Sequence, residues 1–91
     1  MWVSQVEHLF NNEQNELEKQ QMLMNLFPRS KEAQIHEIGG KIYAQMIFPS
    51  EKIADAVFKE LNNSRMPKPH DKRYFKLFRR FPTALIVNLR F

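Results

Sequence analysis

The chain predicts an α+β fold, a three-stranded sheet covered by helices on one face, and three observations carry that expectation. A period-two apolar pattern interrupted by Gly39-Gly40 marks a hairpin near the middle. Segments with helical spacing and capping residues stand on either side of it, and the sequence ends on a second alternating apolar run. Ninety-one residues leave room for one modest core, so residues 1–91 are read as a single small α+β domain. With 43% hydrophobic and 26% charged residues, the composition is that of a globular protein rather than a disordered one.

At the N-terminus, Trp2, Val3, Val6, Leu9 and Phe10 share one side of a helical wheel while Ser4, Glu7 and His8 lie opposite, which predicts a short helix over 2–10. Read as a strand, the same stretch would make the order βαββαβ, but its alternation is poor. Asn12 is placed to cap a second helical segment from Glu13 to about Leu26, whose Glu, Gln, Lys, Met and Leu residues are good helix formers. Leu17, Met24 and Phe27 are its expected core contacts, and Pro28 ends it.

The period then drops to two. With Gly39-Gly40 as the turn, Ile38 faces Lys41, His36 faces Tyr43 and Gln34 faces Gln45. Ala33, Ile35, Ile42, Ala44, Met46 and Phe48 then collect on one face, and Gln34, His36, Lys41, Tyr43 and Gln45 on the other. Pro49 stops the second strand and Ser50 can cap a helix bearing Ile53, Ala54, Ala56, Val57 and Leu61, with Asn62-Asn63 as its exit. Ser64 to His70, stiffened by Pro67 and Pro69, reads as a loop.

From Asp71 to Phe81 the helical wheel separates Tyr74, Phe75, Leu77, Phe78 and Phe81 from Lys72, Arg73, Lys76, Arg79 and Arg80. A strand would mix rings and charges on both faces, so a short basic helix is expected, with Asp71 as its cap and Pro82 as its stop. The last strand puts Leu85, Val87, Leu89 and Phe91 on one face and Ala84, Ile86, Asn88 and Arg90 on the other. Its apolar character argues that it is interior to the sheet or pairs across a dimer, because an exposed edge of this kind invites aggregation.

Charge is unevenly spread along the chain. Residues 1–63 hold six Lys/Arg against nine Asp/Glu, a balance of −3, whereas residues 64–91 hold eight against one, a balance of +7. Such a patch attracts polyanions through phosphate contacts that do not depend on sequence. The chain has no cysteine, and its N-terminus lacks the basic flank and apolar run of an export signal, so a cytoplasmic protein is expected. His8, His36 and His70 lack metal-ligand spacing, no glycine-rich phosphate loop is present, and the serines have no nucleophile context; no catalytic residues, metal or cofactor are expected.

The function that follows is a small non-enzymatic nucleic-acid-binding module. Arg65, Lys68, Lys72, Arg73, Lys76, Arg79 and Arg80 would contact phosphates, and His36 and Tyr43 on the exposed sheet face would stack on bases. The rival is a protein-interaction module, a small regulator or inhibitor with an acidic protein partner, or a homodimer joined through the C-terminal strand. Binding to a membrane surface would need Tyr74, Phe75 and Phe78 to be exposed.

Overall fold

The computed structural model describes residues 3–4, 14–39, 41–68 and 71–90. Seven elements follow in the order β1 (Val3–Ser4), α1 (Glu16–Leu26), β2 (Glu32–Ile38), β3 (Lys41–Ile47), α2 (Glu51–Leu61), β4 (Tyr74–Phe81) and β5 (Ala84–Arg90). The class is α+β as expected, but the sheet has four full strands rather than three, all antiparallel, in the order β2-β3-β5-β4. The two-residue β1 pairs with Leu89 and Arg90 of β5, on the edge that β3 uses further along, since β4 fills the other edge. Each helix precedes a hairpin, α1 before β2-β3 and α2 before β4-β5, and the two inner strands β3 and β5 meet at the centre.

The extra strand is the segment expected to be the basic helix. Tyr74–Phe81 is extended and pairs with β5 over its whole length, with a bulge between Arg79 and Phe81. The helical wheel separates rings from charges correctly but gives no weight to the neighbours. A helix of about ten residues is marginal in water, whereas four aromatic residues favour a pleated surface, and Pro82-Thr83 closes a tight turn onto the most apolar strand of the chain. β5 needs a partner, and the adjacent segment supplies it. Of the two alternatives expected for β5, interior to the sheet or paired across a dimer, the sheet shows the first: β1 and β3 lie on one of its edges and β4 on the other.

The N-terminal expectation also changes. Val3–Ser4 is strand, not the start of a helix, and residues 5–13 lie outside the described residues. The cap of α1 is Asn15, not Asn12: its side-chain oxygen accepts from the Glu18 N–H at 2.8 Å, so the helix begins at Glu16. Leu17, expected in the core, is 72% exposed, because it lies roughly 120° round the helix from the buried Leu23.

The β2-β3 register is as read from the sequence, Ile38 opposite Lys41 through Ala33 opposite Met46. Gly39 has φ of 59°, the left-handed conformation that the turn requires. α2 is capped by Ser50, whose Oγ accepts from the Ile53 N–H at 3.2 Å, and it ends at Asn62, with Asn63 at φ 65°. A Ser50→Ala variant is expected to lose about 1 kcal/mol of stability, read as a lower urea midpoint at unchanged slope.

Both helices lie on one face of the sheet. Leu23 and Phe27 from the α1 end, Ala54 and Val57 from α2, and Ala44, Met46, Phe75, Leu77, Leu85, Val87 and Leu89 from the strands form one buried cluster. Met66, in the loop before β4, is buried with them, a contribution that sequence reading did not anticipate. Phe27 ties the layers together, its ring centroid 5.2 Å from Phe75 and 6.5 Å from Phe48. Among the described residues no helix is long and apolar enough to cross a membrane.

Candidate nucleic-acid interface

The face of the sheet away from the helices is defined by register. Glu32, Gln34 and His36 of β2, Tyr43, Gln45 and Ile47 of β3, Ala84, Ile86 and Asn88 of β5, and Tyr74, Lys76 and Phe78 of β4 all lie on it. No helix of the described residues covers it. The bulge adds Arg80 and Phe81 to this face, because two residues of β4 oppose one of β5 there and Phe81 comes opposite Ala84.

Rings and cations alternate along β4. Phe78 and Phe81 are 46% and 53% exposed, unusual for phenylalanine, whereas Phe75 on the opposite face is 2% exposed. Each outward ring carries a cation: the Lys76 ammonium is 5.9 Å from the Phe78 centroid, and the Arg80 guanidinium is 5.2 Å from that of Phe81. At the start of the strand, the Arg65 guanidinium lies 5.3 Å from the Tyr74 centroid and donates through Nη2 to the Tyr74 hydroxyl at 2.9 Å. Arg65 reaches this place because it forms a bridge with Tyr74 along the outer edge of β4. Asn63 N–H donates to the Phe75 carbonyl, and Phe75 N–H to that of Ser64, which covers the first part of that edge.

A chain of side-chain hydrogen bonds crosses the face. Arg80 Nη1 donates to Gln45 Oε1 at 3.0 Å, Gln45 Nε2 donates to Gln34 Oε1 at 3.2 Å, and Gln34 Nε2 reaches Glu32 Oε1 at 3.4 Å. This chain explains how Gln45 is buried with its amide satisfied, and it holds the Arg80 guanidinium above the sheet. Beside it, His36, Tyr43, Arg80 and Ile86 line a recess of about 270 Å³. Glu32 is the only acidic side chain on this face among the described strand residues.

The expected site residues therefore divide. Arg65, Lys76 and Arg80 come together with His36 and Tyr43 on the open face. Arg79 goes elsewhere: it points to the helix side, where its guanidinium is paired with Asp55 of α2 and donates to the Pro82 carbonyl at 3.3 Å. Lys68 and Lys72 are exposed in the connection leading to β4, and Arg73 is half-buried just before the strand, its carbonyl accepting from the Met66 N–H. His8 and His70 lie outside the described residues.

Sequence reading missed Tyr74, Phe78 and Phe81 as surface residues by assigning all the rings of the segment to a core. The signal was present. The mixing of rings and charges that argued against a strand is what a strand with one face on a core and the other toward solvent displays here: Tyr74, Lys76, Phe78 and Arg80 on one face, Phe75 and Leu77 on the other. Among the described residues no three His, Cys, Asp or Glu side chains are grouped as a metal site would require. Comparison with protein-family models, with curated proteins and with solved structures finds no match to this chain.

Proposed function

We propose that this chain is a non-enzymatic nucleic-acid-binding module that takes a single strand across the open face of its sheet. One observation carries the reading: phenylalanine rings left in water on β4, each next to a cation, on a sheet face that among the described residues no helix covers and on which Glu32 is the one acidic strand residue. Burying these rings would have been favourable by about 1.5–3 kcal/mol each, so a fold that leaves two of them out on one strand needs another use for them. Unpaired bases offer flat apolar surfaces to stack on such rings, and the phosphates between them offer anions to Lys76, Arg80 and Arg65. Duplex DNA hides its bases and would meet only the cations.

This reading replaces the basic helix with a strand and narrows polyanion binding to unpaired nucleic acid. An acidic protein partner would use the same cations and cover the rings with its own apolar side chains, so binding to a bare oligonucleotide is what separates the two readings. Binding to a short single-stranded oligonucleotide should weaken linearly on a logarithmic salt scale, and Lys76→Ala and Arg80→Ala should each flatten that slope by about 0.7. Fluorescence anisotropy at several salt concentrations measures it. Absence of binding in low salt, or stronger binding to anionic lipid vesicles than to any oligonucleotide, would overturn the proposal.

A further inference from the structure

We infer that the unit bound by the open face is a pair of successive nucleotides lying along β4, one base on Phe78, the next on Phe81 and the phosphate between them on Arg80. The inference rests on the single-strand reading proposed for this face and adds to it the direction of the strand and the spacing of its bases. It starts from the bulge. In a regular strand Phe81 would share the parity of Phe75 and Leu77, both 2% exposed on the helix side, and Phe78 alone of the phenylalanines would be left on the open face. The extra residue between Arg79 and Phe81 turns Phe81 over, opposite Ala84, and leaves it 53% exposed. Closing the Pro82-Thr83 turn requires no ring at either place, so the turn does not account for the arrangement.

Register fixes the spacing of the two rings. Phe78 pairs with Ile86 and Phe81 with Ala84, two residues apart on β5, so the rings are rooted roughly 7 Å apart along the sheet. Bases stacked on one another lie about 3.4 Å apart, as along one strand of a duplex. A spacing near twice that suits neighbouring bases that have been parted, each lying on its own ring with no nucleotide skipped. Tyr74 does not continue the series at the same step. Its partner Arg90 is four residues from Ile86, roughly 13 Å further along, and the ring is half-buried with its hydroxyl held by Arg65.

The residue that the bulge inserts between the rings is a cation. Arg80 is held over this stretch by the bond from its Nη1 to Gln45 Oε1 at 3.0 Å, with its guanidinium 5.2 Å from the Phe81 centroid. Its Nε–Nη2 edge has no partner among the described residues, and two parallel donors of this kind match two oxygens of a phosphodiester. A phenyl ring stacks on any base and a phosphate contact carries no sequence, so the arrangement selects by the distance between bases and not by their identity.

The test uses octamers of equal charge that carry only two thymine bases, the other sugars being abasic, with the two bases adjacent or separated by one or by two abasic positions. Each competes in low salt against a labelled all-thymine octamer bound to the intact chain, followed by fluorescence anisotropy. The adjacent pair is expected to bind about fivefold or more tightly than either separated pair, the loss of one ring contact. In Phe81→Ala that advantage is expected to vanish. A neutral methylphosphonate at the linkage between the adjacent bases is expected to weaken binding more than one at a terminal linkage, and Arg80→Ala to remove the difference. Equal competition by all three ligands or by none, a separated pair that binds best, an advantage that survives in Phe81→Ala, or equal cost at both linkages would overturn the two-nucleotide site while leaving single-strand binding in place. Failure of the all-thymine octamer to bind would overturn the single-strand reading itself.

Discussion

Replacing Phe27 with alanine is expected to destabilise the fold by about 3–5 kcal/mol, at the upper end of what removing one core side chain costs. Phe27 follows the last turn of α1, is fully buried, and touches rings from two other places: Phe48, where β3 leads into α2, and Phe75 on β4. Its removal opens a cavity at the point where helix and sheet meet, and it also deletes two edge or tilted ring contacts, each adding about 0.5–1.5 kcal/mol beyond the buried area. A domain of this size has a total stability of only about 5–15 kcal/mol, so the variant should be marginal at room temperature. Urea unfolding followed by circular dichroism should show the midpoint falling steeply. A loss below about 1 kcal/mol would mean that α1 is held by Leu23 and the partly buried methionines rather than by this ring.

How much of this was legible depends on whether local pattern or neighbours decided the outcome. The β2-β3 hairpin was legible to the residue because its alternation, its glycine turn and its two faces agree, and a one-residue slip would have turned Ala44 and Met46 out to solvent. The Ser50 cap and the Asn62-Asn63 exit of α2 were legible for similar reasons, since capping is settled within a few residues. Tyr74–Phe81 was not, because its local pattern favours a helical wheel and the choice was made by β5, which lies next in sequence and pairs with it throughout. Of the candidate site, His36 and Tyr43 were correctly placed on the exposed face through the hairpin register. The place of Arg79 was not legible, for the converse reason: which of two adjacent arginines faces the sheet surface and which faces Asp55 follows from strand parity and the bulge, and neither can be inferred once the segment is taken as helix.

That parity sets up the second large effect, which falls on binding instead of folding. Phe78→Ala and Phe81→Ala are each expected to weaken single-strand binding by about 1–3 kcal/mol, roughly 5- to 150-fold, with the double variant weaker than either. Neither ring belongs to the buried cluster, so thermal unfolding should move little, by about 0.5 kcal/mol or less for each. Arg79→Ala supplies the control. It removes a full positive charge from the same strand, one residue from Phe78, but from the opposite face, where Asp55 already holds it. If binding is driven only by net charge, Arg79→Ala should weaken it as much as Arg80→Ala does, and the two phenylalanines should be silent. If a strand lies across the open face, the ranking reverses: the rings dominate, Arg80 matters, and Arg79 does not. The same four substitutions, read against one oligonucleotide, therefore separate a stacking platform from a merely cationic one.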